Sequence, residues 1–297
     1  MIDSHAHIFN VLSGFGADGE LRPLDHGRAI WANGDVIQLL PETYEKTVFT
    51  VHDLIKVMDD ASIDRAVLLQ GGFLGFDNHG VAAAVRMYPA RLRGAIAVDP
   101  FCRNLEGIVA HVKTLGLTAA KFEVSTGCGL MGSHRAFPID SYEMMALYSS
   151  LADTVNTFAF DLGSPGDESH QVKAVRRIAL HFPDKNIVVC HLSSPRREQD
   201  ENLKRELDVL SRDNIFLDTA ALFHKTRPES YPFDTARRYL SYARDIVGAG
   251  HLMWGSDMPS TLARVPLSEQ LSYSDGIFST SEKEWYFEKT AEMVYFQ

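Results

Sequence analysis

Eight apolar strands, each followed by a helix, predict an α/β chain closed as a (β/α)8 TIM barrel with long loops over its mouth. Three observations carry this prediction. The strands are continuous apolar runs, as strands covered on both faces are. Strand and helix alternate without a composition break across 297 residues, enough for right-handed crossovers to close a barrel. Ionisable residues end most of the strands, which is where a barrel keeps its site. An open doubly wound sheet is the architectural alternative. It would want a glycine-rich phosphate loop after the first strand, and His5 and His7 stand there instead. A single domain over residues 1–297 is expected.

The elements follow in order. Ile2 to Ile8 alternates in polarity with period two, which predicts a strand with His5 and His7 on one face. Residues 10–50 are polar and rich in Gly, Asp and Pro, and read as a long lid loop. Val51, Leu54, Ile55 and Met58 share a helical face, with Thr50 as cap. Further strands are predicted over 66–70, 94–100, 117–124, 157–163, 186–192, 214–220 and 251–254. The helices between them are predicted over 81–88, 104–115, 140–152, 168–182, 196–210 and 235–247, with a closing helix from about Ser281. A second loop spans 125–138 and carries His134 and Arg135.

Composition narrows the classes of function. Hydrophobic content of 45% and charged content of 23% are ordinary for a soluble enzyme. No apolar run approaches a membrane span, and no charged-then-apolar leader precedes Ile2. Three cysteines, Cys102, Cys128 and Cys190, argue against a disulfide scaffold and for a cytoplasmic protein. A formal charge of -10 disfavours nucleic acid as a partner.

The strand ends carry the chemistry. They are His5 and His7 on the first, Asp99 on the third, Lys121 and Glu123 on the fourth, Asp161 on the fifth, His191 on the sixth, Asp218 on the seventh and Asp257 on the eighth. Two imidazoles two residues apart on a strand can chelate one divalent ion. They can equally be solvated or core-satisfied. Asp257, where an apolar run breaks into Gly-Ser-Asp-Met-Pro, can be a ligand or simply a cap. Arg135 reads as a substrate contact or as a surface charge. A barrel used only for binding would leave these groups scattered.

Taken together, Ile-Asp-Ser-His-Ala-His at the start and Trp-Gly-Ser-Asp-Met-Pro near the end resemble the first and last barrel strands of the amidohydrolase superfamily. More narrowly they resemble its amidohydrolase-2 branch, which includes aminocarboxymuconate-semialdehyde decarboxylase and the pyrone-dicarboxylate lactonases. The two motifs sit at opposite ends, so the resemblance spans nearly the whole chain. It implies one divalent ion, zinc first and manganese as the alternative, held by His5, His7 and Asp257 with Asp161. It implies catalytic roles for Asp257 and His191. Asp161 stands where the family often has histidine, which disfavours a two-metal site bridged by Lys121. Lys121, Glu123 and Arg135 are the candidates for substrate binding. The reaction implied is metal-dependent hydrolysis of a small carboxylated lactone, amide or similar bond. A non-oxidative decarboxylase of an aromatic or muconate-like acid, or a metal-free lactonase using Asp257 and the histidines, are the alternatives. The resemblance also allows a homodimer.

Overall fold

A computed structural model describes residues 1–297. Eight parallel strands form one sheet whose order follows the chain: Ile2–Ala6, Arg65–Leu68, Leu92–Ile96, Ala119–Glu123, Thr157–Asp161, Asn186–Val189, Ile215–Asp218 and Leu252–Met253. The sheet closes through its first and last strands. Ser4 N donates to Trp254 O at 3.1 Å, Asp257 N to His5 O at 2.8 Å and His7 N to Met258 O at 2.9 Å. This is the (β/α)8 barrel that the alternation predicts, with the helices on its outside.

Two apolar layers hold it. A cluster of 69 buried residues fills the space between strands and helices. A second cluster of 13 fills the barrel interior, where Ala95, Ala119 and Ala159 leave room for Val67, Val188 and Phe216. The closing helix, which ends with Thr290–Tyr295, brings Ala291, Val294 and Tyr295 into that second cluster. It is pinned there by Thr157 Oγ1, which donates to Val294 O at 2.7 Å. The floor of the barrel is therefore plugged, and the mouth is left for polar groups.

Local chemistry explains the element boundaries. Helix Val51–Asp60 starts from a capping box in which Thr50 and Asp53 satisfy each other's backbone amides. Helix Asn78–Met87 begins three residues before its expected start, because Asp77 accepts from Gly80 N and caps it. The eighth strand is only two residues long.

The largest departure from the expected layout is the stretch 10–50. It is not a plain loop. Phe15–Gly16, Gly19–Pro23, Arg28–Trp31 and Val36–Gln38 form a four-stranded antiparallel sheet. The sheet leans on the mouth: Phe15 N donates to Gly72 O and Ala17 N to Gly127 O, both at 2.8 Å. The 125–138 loop likewise contains a short helix, Leu130–Ser133. No helix is long and apolar enough to cross a membrane.

Candidate active site

The downstream ends of the strands deliver their ionisable side chains to one cavity of about 220 Å³. His5 lies in the first strand and is wholly buried; His7 follows just beyond it. Their rings are 5.0 Å apart, and the His191 ring is 4.8 Å from that of His5. All three imidazoles are oriented the same way. His5 Nδ1 faces Asp218 Oδ2 at 3.0 Å, His7 Nδ1 faces Leu69 O at 2.8 Å, and His191 Nδ1 faces Ala220 O at 2.8 Å. An oxygen acceptor at Nδ1 keeps the proton on that side and leaves Nε2 with a free lone pair.

Those lone pairs meet carboxylates. His7 Nε2 is 3.0 Å and His5 Nε2 3.7 Å from Asp257 Oδ1, and His191 Nε2 is 3.3 Å from Asp161 Oδ2. A neutral ring sets acceptor against acceptor, which a shared cation would relieve, whereas a doubly protonated ring donates to the carboxylate instead. Ligand atoms of His5, His191 and Asp257 all lie within 4.8 Å of one another. Histidines plus carboxylate suit zinc, and the added oxygen of Asp161 widens the choice toward manganese. The donor set thus fits a divalent ion. A neighbouring trio of His5, Cys190 and Asp218 also converges. Burial pushes the Cys190 thiol well up, and the His5 nitrogen on that side is already paired with Asp218.

Charge in the cavity is finely divided. Burial, more than Lys121, depresses His5 to about 4 against the pull of Asp218. Burial opposes ionisation of Asp257, but the His7 hydrogen bond and the nearby His191 and His5 outweigh it and hold the carboxyl far below its usual range. Asp161 is held low in the same way, chiefly by His191 and Lys121 against burial. Glu123 goes the other way: burial, helped by Asp161, raises it despite Lys121. Burial also disfavours the Lys121 ammonium, yet Cys190, Asp161 and Glu123 together keep it raised.

The backbone is strained where it carries these groups. Asp257 has φ 58°, and His191, Leu192, Ser193 and Ser194 have φ 58°, 52°, 63° and 53°. Each such non-glycine residue costs about 1–2 kcal/mol, and strain of this kind gathers at functional sites. Buried contacts hold the eighth-strand loop in place. Asp3 accepts from Ser256 N at 2.9 Å and from Ser256 Oγ at 2.5 Å. Gly71 passes so near Glu123 that a Cβ there would meet Glu123 Oε2 at 1.8 Å.

His5, His7, Lys121, Glu123, Asp161, His191 and Asp257 therefore meet at the mouth. Arg135 does not line this cavity; it is exposed. Asp99 turns aside to His134, 2.8 Å away, beside a separate cavity of about 480 Å³. Two contributors carry no role in the sequence reading. Asp218 orients His5 and also accepts from His191 N at 2.9 Å. Lys225 reaches the cavity from the short helix Leu222–Lys225, beyond the seventh strand. Asp218 could have been suspected from its strand-end place, whereas Lys225 has no local signal.

A family model described as amidohydrolase matches residues 2–297. The chain belongs to the amidohydrolase family. No curated protein matches it. Among solved structures, this amidohydrolase is similar to a probable 2-pyrone-4,6-dicarboxylic acid hydrolase from Acinetobacter baumannii with citric acid bound, at 17% identity, 99% of this chain and 98% of that one covered, and a TM-score of 0.69. It is similar to an amidohydrolase from Burkholderia multivorans with bound zinc, at 14% identity, 99% and 98% coverage and a TM-score of 0.70. It also resembles the 5-carboxyvanillate decarboxylase of Sphingomonas paucimobilis, at 14% identity, 81% of each chain and a TM-score of 0.57. The family is one of enzymes, and both hydrolases and decarboxylases stand among these neighbours.

Proposed function

We propose that the chain is a metal-dependent hydrolase that opens a small carboxylated lactone or amide. The observation that carries this reading is geometric: ligand atoms of His5, His191 and Asp257 lie within 4.8 Å of one another beside a cavity that Lys121, Glu123 and Lys225 also line. Asp257 and Glu123 face that one cavity and can divide into base and acid. His5, His191 and Asp257, with His7 and Asp161 beside them, would hold the ion, and the zinc in the Burkholderia neighbour supports zinc first and manganese second. Such an ion supplies Lewis-acid polarisation of the scissile carbonyl.

The chain's own side chains do the rest. Asp257 accepts the proton of the attacking water. Glu123, whose carboxyl burial raises, is placed to give a proton to the departing oxygen or nitrogen. His191, its Nδ1 held by Ala220 O, keeps Nε2 for the ion and would position it at the reacting carbonyl. Lys121 and Lys225 hold the substrate carboxylate in charge-assisted contacts, and the cavity of about 220 Å³ favours a small acid. Exposed Arg135 has no part in this scheme.

The test is metal analysis of the purified protein followed by a panel of lactones, amides and aromatic acids. Ring opening or amide cleavage is expected, lost on chelation and restored by zinc. Asp257→Asn and Glu123→Gln should each lower kcat by about 10²–10⁴-fold. Glu123→Gln should erase the alkaline limb of the pH profile, whereas Asp257, held far below the usual carboxylate range, should contribute no acid limb at working pH. Full turnover after chelation would remove the ion from the scheme. Release of CO₂ without a hydrolysis product would make the chain a lyase instead.

A further inference from the structure

A buried polar cluster lies behind the sixth strand, outside the cavity. Glu206, on helix Asp200–Leu210, receives three partners. Its Oε1 is 3.0 Å from His170 Nε2 and accepts from Asn202 Nδ2 at 2.6 Å, and its Oε2 accepts from Ser193 Oγ at 3.0 Å. The far nitrogen of His170, Nδ1, faces Gly163 O at 3.1 Å, in the loop just after Asp161. Both ring nitrogens thus point at oxygen acceptors, so the ring is held from both sides. The His170 and Glu206 side chains are only 6% and 14% exposed, at the wall of a surface cavity of about 630 Å³.

What this pair grips is unusual. Ser193 is the third of four consecutive non-glycine residues in the left-handed region, beginning with His191. L-residues do not string such conformations together unless the surroundings enforce them. The upstream end of the turn is fixed by Asp218 Oδ1, which accepts from His191 N, and by Ala220 O at His191 Nδ1. The Glu206 contact is the side-chain hydrogen bond on the downstream end. Ser194 Oγ is buried with no partner, so the turn is not kept for that hydroxyl.

We propose that the His170–Glu206 pair is a clamp that holds the turn 191–194 left-handed and thereby sets the His191 ring in the cavity. His170 and Glu206 are positioning residues; neither lines the mouth cavity. The assignment of a catalytic effect rests on the function proposed above, while the conformational part does not. Opening the clamp lets the turn relax toward ordinary backbone angles and swings His191 off its Ala220 and Asp161 contacts.

The experiment is a double-substitution cycle on the full chain with two readouts. Amide exchange across residues 190–194 is measured in every variant, and kcat and KM on whichever panel substrate is turned over. Glu206→Gln, which preserves size, should raise exchange at 191–194 and lower kcat about 10–100-fold with KM little changed, as displacement of a reacting group by about 1 Å does. His170→Gln should reproduce this from the other side. Ser194→Gly should change little alone, because glycine accepts positive φ freely. In the Glu206→Gln background it should recover most of the lost protection and kcat, a non-additive gain. Normal exchange at 191–194 in both Glu206→Gln and His170→Gln would overturn the clamp. So would raised exchange that glycine at 194 does not reverse. If no panel substrate is turned over, the proposed reaction fails while exchange still decides the clamp.

Discussion

The two ends of the barrel are made from the same eight strands and obey opposite rules. At the floor, Phe216 stacks on His251 with ring centroids 5.2 Å apart, and the closing helix adds Val294 and Tyr295. At the mouth, two or three residues further along the same strands, apolar packing gives way to histidines and carboxylates, and the backbone enters positive φ at His191–Ser194, Ala221 and Asp257. The contrast teaches that stability and chemistry are divided along the strand axis. The floor supplies the packing free energy that lets the mouth keep buried charge and strained backbone.

Three substitutions break or sharpen that contrast. Phe216→Ala, at the floor, empties a packed ring position and should cost about 3–5 kcal/mol of stability. Turnover per folded molecule and metal content should stay the same; denaturant unfolding read alongside activity checks both. If activity fell as far as stability, the two ends would not be independent. Asp218→Asn, at the mouth, removes the carboxylate that orients His5 and should weaken zinc binding about 10–100-fold. Competition with a chelating dye measures this, and the melting temperature should move less than for Phe216→Ala. Arg135→Ala tests the rim. Since this side chain is exposed and outside the cavity, its removal should stay within about 0.5 kcal/mol of stability and leave KM unaltered. A tenfold rise in KM would bring Arg135 back as a substrate contact.

The same division explains how much could be read beforehand. A strand buried on both faces shows as an apolar run, and the residue that ends it stands out by polarity, so His5, Lys121, Asp161 and Asp257 were visible as a converging set. The family resemblance then rested on the two motifs that the closing hydrogen bonds bring together. What stayed hidden lacks a local period. The antiparallel sheet within 10–50 has strands of two to five residues, half-exposed and lying on other loops rather than on a core of their own. Lys225 belongs to a four-residue helix positioned only by the tertiary fold. His191 reads as the end of a strand, yet strand geometry stops at Val189 and the imidazole is presented from a left-handed turn. No sequence pattern announces four such residues in a row, because their conformation is imposed from Asp218 and Glu206, 27 and 13 residues away from the atoms they hold.

The seam between first and last strands has a consequence for biosynthesis. His7 and Asp257, which touch in the finished molecule, are separated by 250 positions. A ribosome delivers the imidazole pair 250 residues before the matching carboxylate. Until the eighth strand is made the barrel is an open sheet with unsatisfied edges, and the imidazoles and the carboxylate stay apart.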